Sequence, residues 1–322
     1  MSNLEGQPAE VELPVETDAA PCAELLEGRD VPLGRYTVVR RSLPNKSRRT
    51  VGAWCFLDHF GPEDVTGKPG MRVPPHPHIG LQTVSWLLGG EVRHRDSLGS
   101  DQVIVPGQLN IMTSGRGIAH SENSPSEKPP ILHGLQLWVA LPAEQRDRAA
   151  AFQHIADLPE LSDGAARITV AVGELEGARS PATVYSELLG ADIRLAGSTR
   201  LAVRPDFEHA VVVTEGTARV EGVDVAPGSL LYLGADRDRI EFSVKEADRP
   251  ARLFLLGGVP FEEELVMWWN FVGRSHEDIV AARDEWMSGS ARFGTVPGGE
   301  QPLPAPGLPT TRLMPRPRHR RL

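Results

Sequence analysis

Residues 74–80 read PPHPHIG, two imidazoles one residue apart among three prolines. In an extended chain alternate side chains point the same way, so His76 and His78 project from one face and can close on a single ion. Proline fixes φ and removes backbone donors, which suits a strand entrance or a sheet edge. The pair alone does not define a site, because H-x-H also arises incidentally in proline-rich turns and divalent metals usually take three or four protein ligands. Partners are found at residues 114–123, SGRGIAHSEN, where His120-Ser121-Glu122 repeats the alternation of His76-Pro77-His78. Two such segments crossing inside a barrel supply four inward donors. Three imidazoles and one carboxylate form a nitrogen and oxygen set suited to Fe(II), Mn(II), Ni(II), Cu(II) or Zn(II) rather than to calcium or an iron–sulfur cluster. On an octahedral ion these four would leave two positions open for chemistry.

Outward from this stretch, short β-favouring runs are punctuated by Gly, Pro, Asp and Asn: YTVVRRSL, VGAWCFLDHFG, LQTVSWLLGGEVRHRDS, QVIVPGQLNIMTSG and HGLQLWVALP. Strands at such short intervals indicate an all-β sandwich or barrel. A mixed region from Ala143 to Gly164 interrupts the series, and strand signals resume with RITVAVG, HAVVVTEGTARVEG and ARLFLLGG. An internal repeat is visible. Trp86–Val92 followed by Val105-Pro106-Gly107-Gln108-Leu109 matches Val213–Val220 followed by Ala226-Pro227-Gly228-Ser229-Leu230: apolar strand, Gly turn, strand, Pro-Gly turn. Ser275-His276-Glu277-Asp278 reads as a capping box opening one short helix over 276–288, with Gly289 beyond it.

Composition sets the bounds. With 322 residues, 40% hydrophobic and 24% charged, the chain has room for two soluble domains. No apolar run reaches membrane-spanning length, and the start MSNLEGQPAE has neither the basic region nor the apolar core of a secretory signal, so a cytoplasmic location is expected. The net charge of −9 argues against general nucleic-acid binding. Residues 1–30 carry eight acids against Arg29 alone, and residues 312–322 carry five arginines after a proline-rich run, so both ends are expected to be disordered. Cys22 and Cys55 lie in unlike settings, which argues against a disulfide and leaves a metal to His and carboxylate.

Gly70, five residues, His76-Pro77-His78, then Gln82 and Gly89 follow the first cupin motif, with Gln82 where many cupins carry glutamate. The longer string HPHIGLQTVSWLLGGEVRHRDSLGS…VIVPGQLNIMTSGRGIAHSE closely resembles the pirin family of bicupins over roughly Arg40 to Leu141. The resemblance implies two tandem cupin β-barrels, jelly-roll-like, with a short C-terminal helix and one mononuclear metal, usually iron, in the first barrel. It carries the family's ligands onto His76, His78, His120 and Glu122. The implied layout is a leader over 1–30, a metal-binding cupin over 31–143, a connection over 144–165, a degenerate second cupin with the helix over 166–297, and a tail over 298–322. Asn110 stands where the usual second cupin motif has a histidine, as pirins draw their later ligands from the HSE segment. Gln82 removes an acid from the surroundings of the metal, which bears on metal preference and proton handling.

The other histidines are expected elsewhere. His59 and His133 are candidates for a cavity wall or for a structural role, His94 in a charged hairpin is expected to face solvent, and His209 and His276 are expected to stay free of metal. Trp268 and Trp269 read as interface packing, and Arg116 as the partner of Glu91, Asp96 or an anionic ligand. The resemblance implies a dioxygenase of the quercetin 2,3-dioxygenase kind, taking a small aromatic or enol substrate and O2, with Glu122 as the base for the substrate hydroxyl. The alternative is a regulatory protein whose metal sets a surface read by a transcription factor or metabolic enzyme.

Overall fold

Alternation within each strand decides what this chain buries. A computed structural model describes residues 22–33, 37–246 and 249–319. In the N-terminal lobe a seven-stranded antiparallel sheet runs in the order Ala151–Ile155, Leu109–Thr113, Leu81–Gly89, Ile131–Ala140, Trp54–Asp64, Thr37–Leu43, Arg29–Leu33. It faces a four-stranded sheet in the order Arg72–His78, Ile118–Asn123, Val92–Asp96, Asp101–Ile104. The C-terminal lobe repeats the plan with a larger sheet centred on Glu208–Glu215 and Ala251–Gly258 and a four-stranded sheet that includes Arg239–Val244. The two cupin units are thus jelly-roll-like sandwiches whose sheets stay open. The repeated Pro-Gly turns are alike in detail: Gln108 N–H donates to Val105 O and Ser229 N–H to Ala226 O, each at 3.2 Å, with Gly107 and Gly228 both at φ 85°. Only glycine takes that left-handed conformation without strain.

The two large sheets stack back to back. Val84, Trp86, Leu109, Ile111, Leu135 and Leu137 on one meet Ala210, Val212, Leu230, Phe254 and Leu256 on the other in a single buried cluster. Trp54 seals this seam by donating its indole N–H to Leu189 O and Gly257 O, both at 3.1 Å. The remaining faces then differ between the lobes. In the C-terminal lobe Val211, Val213, Leu231, Leu233, Leu253 and Leu255 fill the sandwich with hydrocarbon against Leu201, Val220, Ile240 and Phe242. In the N-terminal lobe the corresponding inner face carries Ser85, Asn110, Gln136 and Trp138, opposed to the histidine-bearing sheet. A polar interior in one lobe and an apolar one in the other is the physical reason that the second repeat has no cluster of metal donors among the described residues. His209 is fully buried there, and neither ring nitrogen has a hydrogen-bond partner.

Both ends of the chain differ from expectation. Residues 1–21 of the expected leader lie outside the described residues, but Glu24–Glu27 pairs with Ser229–Gly234 of the C-terminal lobe, and Arg29–Leu33 pairs with Thr37–Leu43. Open sheet edges capture this acidic stretch through its backbone, while Leu26 enters the seam and Glu24 pairs with Arg48 at 3.1 Å. The connection over 144–165 contributes Ala151–Ile155 to the first lobe and Glu160–Asp163 to the second. The helix spans His276–Met287, with Ser275 as N-cap and the box with Asp278 formed, yet it joins Ile79 and Ala119 of the first lobe in a cluster with Phe271, Ile279 and Phe293. Trp268 and Trp269 pack on that cluster. The described part of the basic tail is held as well: Leu303 N–H donates to Pro75 O, and Leu265 and Arg316 exchange backbone bonds. Residues 320–322 lie outside the described residues.

A buried carboxylate fastens that tail. Glu208 accepts from Gly52 N–H at 2.5 Å, Tyr232 Oη at 2.7 Å and Arg318 Nη1 at 2.8 Å, joining both lobes and the C-terminal segment. Removing it strands three donors, so Glu208→Ala is expected to lower stability by about 3 kcal/mol. Urea denaturation checks this; a loss under about 1 kcal/mol would mean water replaces the carboxylate. Cys22 and Cys55 are both free, the second fully buried. No helix among the described residues is long and apolar enough to cross a membrane.

Candidate metal centre

The four-stranded sheet of the first lobe places the candidate ligands by register. His120 stands opposite His76 on one neighbouring strand and opposite Asp96 on the other, and Glu122 stands opposite His94. Directly opposed residues share a face, as do residues two apart on one strand. His76, His78, His120, Glu122, His94 and Asp96 therefore all point into the sandwich, and all are buried. The four candidates fall into two overlapping groups. His76, His78 and His120 each offer a ligand atom within 4.8 Å of the others, and so do His94, His120 and Glu122. Glu122 is thus joined to the histidine trio through His120.

The trio is arranged as ligands would be. His76 Nδ1 lies 2.9 Å from Pro74 O and His78 Nδ1 lies 3.0 Å from Asn270 O, contacts in which the ring must donate. Each ring is thereby held in its Nδ1–H form with the Nε2 lone pair directed inward. His78 Nε2 and His120 Nε2 are 3.0 Å apart. Two nitrogens each ~2.1 Å from one ion at a right angle would be separated by about 3.0 Å, so this spacing fits adjacent positions on a divalent cation. Burial holds His76 down to about 4, opposed by the Pro74 carbonyl, and burial together with neighbouring imidazoles holds His78 and His120 well below the ordinary value. All three are neutral at pH 7, the form that binds metal. Burial pushes the Glu122 carboxyl above its usual range, opposed by His94 and by a 3.3 Å hydrogen bond from Ser85 Oγ. The three imidazoles and their tautomers fit one divalent ion, with Glu122 grouped with His120 but not with His76 and His78.

Aromatic rings pack around the donors. Trp138 meets His78 edge-on with centroids 5.1 Å apart and stacks on Phe56 at 4.0 Å, and Phe152 stacks on His94 at 4.4 Å. Gln82 lies fully buried and bonds to Thr113 Oγ1 at 2.9 Å and Thr183 O at 3.1 Å.

Expectations for His94 and Arg116 are corrected, while His59 and His133 take the structural role. His94 is buried, not solvent-facing, because the strand Val92–Asp96 alternates buried and half-buried positions and His94 falls on the inner face with Val92 and Asp96. That period of two in V-R-H-R-D, with both arginines on the other face, was the legible signal. Arg116 is exposed, and Asp96 instead accepts from His94 and from the N–H groups of Leu98 and Ser100. His59 and His133 pair with each other, Nε2 to Nε2 at 2.8 Å, and His133 Nδ1 lies 3.5 Å from Glu215 at the lobe seam.

That pair predicts acid sensitivity. Burial holds His59 at about 4; burial, His59 and Arg252 hold His133 at about 3. The unfolded chain takes up protons first, near the ordinary 6.5, so stability is full above pH 6.5 and is lost as pH falls toward 4. A decline on the order of a few kcal/mol is expected across that window. Melting temperatures from pH 7 to pH 4.5 check this, and a flat profile contradicts it.

Comparisons with known proteins agree with this architecture. The family model Pirin matches residues 36–139, and the model for the Pirin C-terminal cupin domain matches residues 190–294. A Pseudomonas aeruginosa protein provisionally named a quercetin 2,3-dioxygenase is 47% identical over 285 residues, which cover 87% of this chain and 89% of that one. A crystal structure described as quercetin 2,3-dioxygenase from Acinetobacter baumannii superposes with a TM-score of 0.86 at 39% identity, over 90% of this chain and 96% of that one. The fold is also shared with a bacterial pirin from Escherichia coli crystallised with nickel(II), TM-score 0.57 at 18% identity, over 74% of this chain and all of that one.

Proposed function

This chain belongs to the pirin family of bicupins, and from that premise we propose that it is a metal-dependent dioxygenase acting on a flavonol or related enol or phenol, with Fe(II) held by His76, His78, His120 and Glu122. The observation that carries the proposal is the convergence of neutral imidazoles and one carboxylate on a polar, aromatic-lined interior in the first lobe. When bound, the ion supplies Lewis-acid polarisation of a substrate oxygen and one-electron chemistry toward O2. The protein supplies the rest. Glu122 takes the proton of the substrate hydroxyl at a carboxylate oxygen, as the buried carboxylate beside His120. Ser85 Oγ lies 3.3 Å from a Glu122 oxygen and 2.9 Å from Gln136 Oε1, and its single proton serves one of these acceptors at a time. Trp138, edge-on to His78, and Phe152, stacked on His94, surround the donors with apolar rings, and burial keeps bulk water from the reacting groups.

The experiment is oxygen uptake by iron-loaded protein with flavonols, catechols and hydroxyketones. Metal-dependent uptake with a flavonol is expected. The alternative, a regulator read by a protein partner, is favoured by one contact: Asn270 O on His78 Nδ1 ties the candidate centre to the half-exposed Trp268-Trp269 turn. Fully loaded protein that consumes no oxygen with any of these compounds, yet captures one lysate protein only when metallated, would replace the enzyme reading by the regulatory one.

A further inference from the structure

Each of the three histidines must be held in its Nδ1–H form if its Nε2 is to face an ion, and the structure provides a different holder for each. His76 has the carbonyl of Pro74 two residues away, and His78 has the carbonyl of Asn270. His120 has no carbonyl in that role. Its Nδ1 faces His94 Nδ1 at 3.4 Å, and His94 Nε2 lies 3.1 Å from Asp96 Oδ2. Resting on the metal-centre reading above, we infer that Asp96 and His94 form a positioning relay that sets the tautomer of His120 and thereby its competence as a ligand.

With His120 Nε2 facing an ion, the contacts allow one arrangement of protons. Asp96 is fully buried, and its Oδ1 accepts from Leu98 N–H at 2.9 Å and Ser100 N–H at 3.0 Å, the donors expected of an ionised carboxylate. Its Oδ2 can then only accept, so His94 Nε2 carries a proton. For His120 Nε2 to face an ion its Nδ1–H must donate, so His94 Nδ1 accepts it and the ring proton of His94 sits on Nε2, toward Asp96. His120 Nε2 is left with a lone pair directed at His78 Nε2, 3.0 Å away. Phe152 stacks on the His94 ring with an interplanar angle of 12°, which fixes the plane in which that lone pair points. Phe152 reaches His94 because the strand Ala151–Ile155 closes the seven-stranded sheet.

His94, His120 and Glu122 also lie close enough to be ligands in their own right. An ion held between the facing Nδ1 atoms of His94 and His120 while another ion uses His120 Nε2 would require His120 to lose both ring protons, far from its state at neutral pH. A relay needs no such ionisation.

The relay makes an unusual claim about a near-isosteric change. In Asp96→Asn the amide Oδ1 can keep the two backbone N–H bonds, and Nδ2 then faces His94 Nε2 as a donor. His94 must become the Nδ1–H tautomer, and His120 is driven to Nε2–H, the form that cannot bind. Asp96→Asn is therefore expected to weaken Co(II) binding about 10–100-fold, as is His94→Phe, whereas His94→Gln, which restores an acceptor toward His120, recovers part of the loss. Titration with Co(II) alone reads the affinity, the visible Co(II) absorption reads the ligand field, and circular dichroism controls for folding. Wild-type affinity and an unshifted spectrum in a folded Asp96→Asn or His94→Phe protein would overturn the relay. So would a second Co(II) equivalent in the wild type that His94→Phe abolishes. Failure of the wild type to bind any Co(II) is a different result and removes the metal-centre reading together with the inference.

Discussion

Replacing His76 by alanine is expected to empty the metal centre while leaving both lobes folded. Purified wild type should carry one metal per chain, since the second lobe buries hydrocarbon where the first buries donors. Losing one of three converging imidazoles should weaken binding by more than about 100-fold, beyond the usual effect of an outer group that only orients a ligand. Stability should change little by comparison. His76 belongs to none of the apolar clusters, and the seam from Val84 and Trp86 across to Val212 and Phe254 is untouched. Elemental analysis beside near-ultraviolet dichroism tests both halves of the claim. Two equivalents of metal in the wild type would contradict the argument from the repeat, and an unfolded His76→Ala protein would make the ion structural.

Glu122→Gln is expected to lower kcat for oxygen uptake by roughly 10²–10⁴, with metal content falling far less. Glutamine keeps the shape, an oxygen donor and the acceptor for Ser85 Oγ, but it is a far weaker base. Rates must be divided by metal occupancy before they are compared. If turnover tracks occupancy alone, Glu122 serves only as a ligand and the substrate proton goes elsewhere.

Much of the candidate centre was legible in the sequence because it rests on local geometry. Alternation in His76-Pro77-His78 and in His120-Ser121-Glu122 already implies two donors per strand face, and those strands pair with His76 opposite His120. Capping chemistry is local too, which is why Ser275 and Asp278 mark the start of the helix correctly. The repeated Pro-Gly turns were readable for the same reason: a left-handed glycine belongs to the turn itself.

What lies between segments was not legible. In V-R-H-R-D the period of two marks an inner face, but only the pairing of that strand beside Ile118–Asn123 brings His94 and Asp96 against His120. The carbonyl that holds His78 belongs to Asn270, 192 residues further along the chain. The acidic Glu24–Glu27 joins the far lobe by backbone pairing with Ser229–Gly234, and Leu26 alone of its side chains is buried in the seam, so the sequence carries little record of that pairing. By itself the sequence determined the family, the repeated β architecture and the four candidate donors, because period, turns and caps are properties of neighbouring residues. Only the tertiary structure decided which face of each large sheet meets the other lobe, which terminal segment crosses to which lobe and what holds each imidazole in place, because backbone edges and carbonyls are the same for every residue and find their partners only in the folded chain.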